Sequence, residues 1–198
     1  MHPYDQGTDP ASQLAAFGRF ADAMAALPEA AGRFDSVSLL LRADLFERLG
    51  RFSQSDAMLQ RLAKLQNLSE FQLSWIDLIR GRLCAEHGDF NGALASFQRA
   101  ALTSARAVQP ELSCVSRLHL LELLADTSGP DATSTMISEL KGAVGRIGAP
   151  ALTIMLHLAV GRIEGRRGLL QNARRHCHAA LRLITDHPNI WQIGRAHV

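Results

Sequence analysis

A chain of 198 residues, 47% hydrophobic and 20% charged, is long enough for one domain with a sizeable core or for several stacked repeats. A formal charge of +2 is too near neutral for the chain as a whole to be a nucleic-acid binder. Three cysteines, Cys84, Cys114 and Cys177, have no CxxC spacing, which argues against a disulfide framework or zinc site and for a reducing compartment.

The N-terminal stretch MHPYDQGTDPASQ carries no apolar run, so it is not a signal peptide, and residues 1–10 read as disordered. No segment approaches the roughly 18 apolar residues that a membrane span needs. The expectation is a cytoplasmic protein with no membrane partner.

From Ala11 onward apolar residues recur at helical spacing, and strand-like alternation is absent. The helix Ala11–Leu27 reads as the second helix of a unit whose first helix is missing, a half unit over 11–28. Turn signals at RLGRF, EHGDF, VQPE, TSGPD, IGAP, RRGLL and DHPN then cut the chain into evenly sized pieces. The expected antiparallel pairs are 36–49 with 53–66, 70–87 with 90–108, 112–126 with 130–147, and 150–167 with 170–186. They define units 36–67, 70–108, 112–147 and 150–187 within an array over 11–192. Ser69 and Gln72 read as a capping box, and Pro110, Pro150 and Pro130 suit first helical turns.

The pieces repeat. Ala16, Ser55, Ala93, Thr133 and Ala173 stand 39, 38, 40 and 40 residues apart, and all are small. Four residues after each come Phe20, Leu59, Phe97, Ile137 and Cys177; three further on come Ala23, Leu62, Ala100, Leu140 and Ala180. Gly50, Gly88, Ser128 and Gly168 precede the small column by five, at the turn between two helices. Gly81 and Gly161 lie inside first helices, where glycine costs about 1 kcal/mol against alanine, so both are expected at close helix contacts. The physical reading is that the small residue admits the neighbouring helix and the larger one fills the groove beside it. Ala16, Ala93, Ala100, Ala173 and Phe97 should therefore be almost fully buried, with Cys177 a core cysteine.

This pattern resembles the tetratricopeptide repeat family, in a long-period variant. Gly81, Gly88, Ala93, Phe97 and Ala100 match its signature; Gly161, Gly168, Ala173 and Ala180 match it with Cys177 in place of the aromatic residue. Ala16, Phe20, Ala23 and Pro28 match the second helix and closing proline, and the unit carrying Thr133 and Ile137 is degenerate. The resemblance implies an all-α, right-handed α-solenoid of antiparallel helix pairs whose first helices line a concave groove. Some relatives grip a partner's C-terminal carboxylate with Lys and Asn. The matching positions here, Leu40, Asp44, Leu78 and Arg82, lack that clamp.

Along the first helices, one column reads Asp44, Arg82, Glu122 and Arg162, with alternating sign. Helix axes 8–10 Å apart would bring each within reach of the next. The expectation is a charged ladder on the groove floor, Arg82 between Asp44 and Glu122 and Arg162 beside Glu122, with Leu40, Leu78, Leu118 and Leu158 as apolar flanks. Trp75 either anchors a bound peptide in that groove or packs between units.

Chemistry is not expected. GRIGAP and GRIEGRRG lack the GK[ST] ending of a phosphate loop, and no serine has a recognisable base. His176, Cys177 and His178 are adjacent on a helix, where neighbours point about 100° apart, so they do not converge on one metal ion. The arginines 162, 166, 167, 174, 175 and 182 either serve an anionic partner or form a solvated face balanced by acids elsewhere. No cofactor or metal is expected, nucleic acid is not favoured as a partner, and the oligomeric state is open.

The expected function is a protein-interaction or scaffold module that binds a peptide or helical segment in its groove. The alternative is the sensor or docking arm of a larger bacterial signalling protein, a transcriptional regulator or nucleotide-signalling enzyme. The last six residues, Ile193 to Val198, translate from a stretch resembling a common sequencing-adapter sequence and read as a non-native tail after Gln192.

Overall fold

The computed structural model describes residues 20–27 and 35–187, and all regular structure among them is helical. The helices are α1 (Phe20–Ala26), α2 (Ser36–Arg48), α3 (Phe52–Leu62), α4 (Glu70–Glu86), α5 (Phe90–Arg106), α6 (Pro110–Thr127), α7 (Ser134–Ile147), α8 (Pro150–Arg166) and α9 (Leu170–Asp186). A 3-10 turn at Pro130–Thr133 leads into α7. Ala16, Pro28 and the segment 193–198 lie outside the described residues.

Local chemistry sets where these helices begin. Asp35 accepts a hydrogen bond from the Ser38 amide at 2.8 Å, and Asp89 accepts one from the Gly92 amide at 2.9 Å. Ser69 and Gln72 form the reciprocal capping box at the start of α4. Pro110 and Pro150 occupy first helical positions, where the missing N–H costs nothing.

The turn glycines at 50, 88 and 168 all take positive φ, between 70° and 76°. In the third unit the serine of that column, Ser128, has φ −110° and the next residue, Gly129, takes φ 89° instead. The turn is thereby displaced by one residue, and residues 130–133 wind as a 3-10 turn before α7 begins at Ser134 rather than 130. The other helix that departs from expectation is α3, which stops at Leu62 instead of reaching residue 66.

Contacts fix the directions. Between α4 and α5 the pairs Asp77 with Arg99, Gly81 with Phe97, and Cys84 with Gly92 run in opposite order along the two helices, so they are antiparallel. Ser55 donates to the Ala43 carbonyl at 2.7 Å, and Arg117 pairs with Glu139, which links α2 to α3 and α6 to α7. Asn172 donates to Glu164 while His176 meets His157, an opposite order that makes α8 and α9 antiparallel. The first helices instead run parallel: Gln72 reaches Ser36 and Arg82 reaches Asp44, then Arg162 reaches Glu122 and Arg166 reaches Asp126. Each such link spans 36 to 40 residues, one repeat.

The columns of the repeat explain the core. Ser55, Ala93 and Thr133 are completely buried, as are Leu62, Ala100 and Leu140. Phe97 is buried where Gly81 leaves room: a Cβ on Gly81 would stand 2.5 Å from the ring. The ring also stacks on His119 of α6 at 5.3 Å, so one side chain joins three helices.

Three packing expectations fail in the last unit. Ala173 is half-buried and Cys177 is exposed, because α9 packs on α8 and no described element covers its outer face. A Cβ on Gly161 would meet nothing nearer than 3.4 Å, ordinary van der Waals contact, so that glycine is not required by space.

Candidate functional site

The first-helix column resolves into two separate ion pairs rather than a ladder. At α2–α4, Arg82 donates to Asp44 and its Nη2 lies 2.9 Å from Glu47 Oε2, while Arg48 donates to Asp44 at 2.8 Å. The Arg48 guanidinium in turn lies 5.2 Å above the Phe20 ring of α1. Asp44 and Arg82 keep only 1% and 6% of their side-chain surface. With Arg82 committed to two acids on α2, no ion pair joins it to Glu122, and the expected continuity is lost. Burial pushes the Glu47 carboxyl above its ordinary pKa, with Arg82 opposing.

At α6–α8, Arg162 reaches Glu122 at 2.7 Å with side chains 62% and 26% exposed, and one turn on Arg166 pairs with Asp126. Burial also raises the Glu122 pKa, opposed first by Arg162 and then by Arg166.

The expected apolar flanks are mostly core. Leu40, Leu78 and Leu118 are buried, and only Leu158 is half-buried. Trp75 is buried too, in one core cluster with residues of α2 and α5, its ring tilted against Phe71 of its own helix at 6.3 Å. Burial of Leu40, Leu78 and Leu118 removes the expected apolar flanks from the surface. Of the nine residues placed there from sequence, Glu122, Leu158 and Arg162 retain access to solvent.

A second site was not visible in the sequence. A cleft of about 340 Å³ opens between α7, α8 and α9, with Ile137 and Val160 at its base and Lys141, Glu164, Arg167, Arg175 and His176 around it. Glu164 is already engaged: it accepts from Arg167 at 3.0 Å and from Asn172 at 3.2 Å. Arg167 also donates to Ser134 at 3.0 Å, tying the end of α8 to the start of α7. Lys141 and Arg175 have no ion-pair partner among the described residues.

Beside the cleft, His157 Nδ1 and His176 Nδ1 stand 2.8 Å apart. Two lone pairs cannot face each other at that distance, so one ring donates its Nδ1 proton and the other accepts it. Burial lowers both histidine pKa values, and the nearby Lys141 charge lowers them further. Sequence spacing on α9 alone drew attention to His176, but His157 comes from a different helix, and only their pairing shows what either does.

Cys84 and Cys114 are free thiols whose pKa values burial raises, which makes them poor nucleophiles. Among the described residues no group of three or more His, Cys, Asp or Glu is placed to hold a metal ion, and no helix is long and apolar enough to cross a membrane. Comparison of the chain with protein-family models, with curated proteins and with solved structures found no match.

Proposed function

We propose that this chain is an α-solenoid of the tetratricopeptide type, right-handed, and that it acts as a protein-binding module without chemistry of its own. The observation that carries the reading is the one-repeat offset of the parallel first helices, tied by Arg82 to Asp44 and by Arg162 to Glu122. Pairs stacked with a constant offset present successive first helices side by side, a surface suited to an extended or helical segment. Free cysteines with raised thiol pKa values suit a reducing compartment such as the cytoplasm.

The binding surface is confined to α6–α8, where the charged column stays open. Glu122 and Asp126 on α6 face Arg162 and Arg166 on α8, beside Leu158, so a bound segment with complementary charges could exchange partners with them. The test is selection from a displayed random-peptide library against the full chain. Enriched peptides should lose binding at least tenfold to an Arg162→Glu/Arg166→Glu variant that keeps its helical circular dichroism. Peptides that bind parent and variant equally, or no enrichment over a bare-support control, would count against the reading.

A further inference from the structure

The cleft between α7, α8 and α9 combines a shape and a charge that protein binding on α6–α8 does not use. Its volume of about 340 Å³ lies at the lower end of small-molecule sites. Its wall carries two cations, Lys141 and Arg175, that form no ion pair among the described residues, while Glu164 in the same wall is held by Arg167 and Asn172. These cations come from different helices, α7 and α9, and line one concavity together with the buried side chains of Ile137 and Val160. His176 lines the same wall; with its Nδ1 turned to His157, its Nε2 is left for a ligand.

We propose that this cleft binds a small ligand bearing a dianionic phosphate group, held by Lys141, Arg175 and His176. Two positive charges match a dianion, and three donors from separate directions match the three terminal oxygens of a phosphate monoester. The Glu164–Arg167–Ser134 chain of hydrogen bonds holds the α7–α8 junction in place around it. A free phosphate ion and a small phosphate ester share this chemistry.

The histidine pair reports on occupancy. The groups facing it are Lys141 from α7 and Glu164 from α8, together with the rings themselves. Without ligand, burial and Lys141 hold both rings neutral; a dianion beside them favours the charged form. Binding therefore takes up a proton, and the affinity for the dianion tightens as pH falls, an effect opposed as the phosphate itself is protonated to the monoanion.

The experiment is a titration of the full chain with inorganic phosphate, and separately with glycerol 2-phosphate, at constant ionic strength. The imidazole signals of His157 and His176 are followed by NMR. The expected result is a saturable shift of both histidines with raised pKa values on binding. The affinity should fall about tenfold or more in Lys141→Ala and in Arg175→Ala, and stay unchanged in the remote Lys64→Ala. Lys141→Ala should also raise both histidine pKa values without any ligand, which checks that the substituted chain keeps the cleft. Tighter binding of glycerol 2-phosphate identifies an ester as the ligand, and equal or tighter binding of inorganic phosphate identifies the ion. Absence of saturation with both probes, or unaltered titration of the Lys141 and Arg175 variants, overturns the proposal.

Discussion

The α2–α4 and α6–α8 junctions carry the same column of the repeat and the same kind of ion pair, yet they differ in what surrounds it. Asp44 and Arg82 are sealed at 1% and 6% exposure, under Arg48 and the Phe20 ring. Glu122 and Arg162 stand at 26% and 62% in solvent. A buried pair becomes part of the core, because loss of either partner strands a charge away from water. An exposed pair costs little to break and so remains free to trade partners. One repeat column thus serves as structure at one end and as surface at the other, and neighbouring helices decide which.

The same contrast runs through the other columns and sets the size of each expected effect. Asp44→Ala should cost about 3–5 kcal/mol in urea unfolding, since Arg82 and Arg48 lose their shared acceptor in a buried site. Glu122→Ala should cost about 1 kcal/mol or less. Equal costs would erase the distinction between the two junctions. Phe97→Ala should likewise cost about 3–5 kcal/mol, whereas Cys177→Ala in the equivalent exposed position should stay within about 0.5 kcal/mol.

The two helix glycines sharpen the comparison further. Gly81→Ala drives a methyl to 2.5 Å from the Phe97 ring and should destabilise by about 1–3 kcal/mol. Gly161→Ala meets nothing nearer than 3.4 Å and should be neutral or stabilising by up to about 1 kcal/mol. Thermal unfolding of the two variants side by side checks this sign change.

Smaller effects come from protonation. The Glu47 carboxyl titrates above its unfolded value, chiefly through burial, so its contribution favours the fold at low pH and is lost as pH rises through the raised value. Glu47→Gln should therefore match or exceed the parent in stability at pH 7, and the difference should shrink as the solution is acidified. The histidine pair runs the other way. Its folded pKa values lie below the ordinary 6.5, so stability is present above that value and is lost as pH falls. Amide exchange in α8 and α9 should speed up under mild acid more than exchange in α4 and α5.

The repeat was legible in the sequence because a helix pair must place a small residue, a filler and a turn at fixed steps. Ser55, Ala93 and Thr133 kept their places even where the residue type changed, and Ser55 satisfies its hydroxyl on the Ala43 carbonyl. The exposed outer face of α9 was not legible, since a column says what a residue would pack on and not whether that element is there. Nor was the burial of Arg82. Alternating signs predicted the pair with Asp44 correctly, but Glu47, one turn away, also lies within ion-pair distance of the same guanidinium and had no place in the column. The cleft escaped notice because Lys141, His157 and Arg175 come from three helices with no shared spacing.

The most direct test of the account is a pair of double-mutant cycles, Asp44 with Arg82 and Glu122 with Arg162, each measured by chemical denaturation at low salt and at about 1 M salt. The first pair should show a coupling of about 2 kcal/mol or more, little changed by salt. The second should show about 1 kcal/mol or less, largely screened at high salt. Couplings of equal size with the same salt response would contradict the account, because the two junctions would then be one kind of surface.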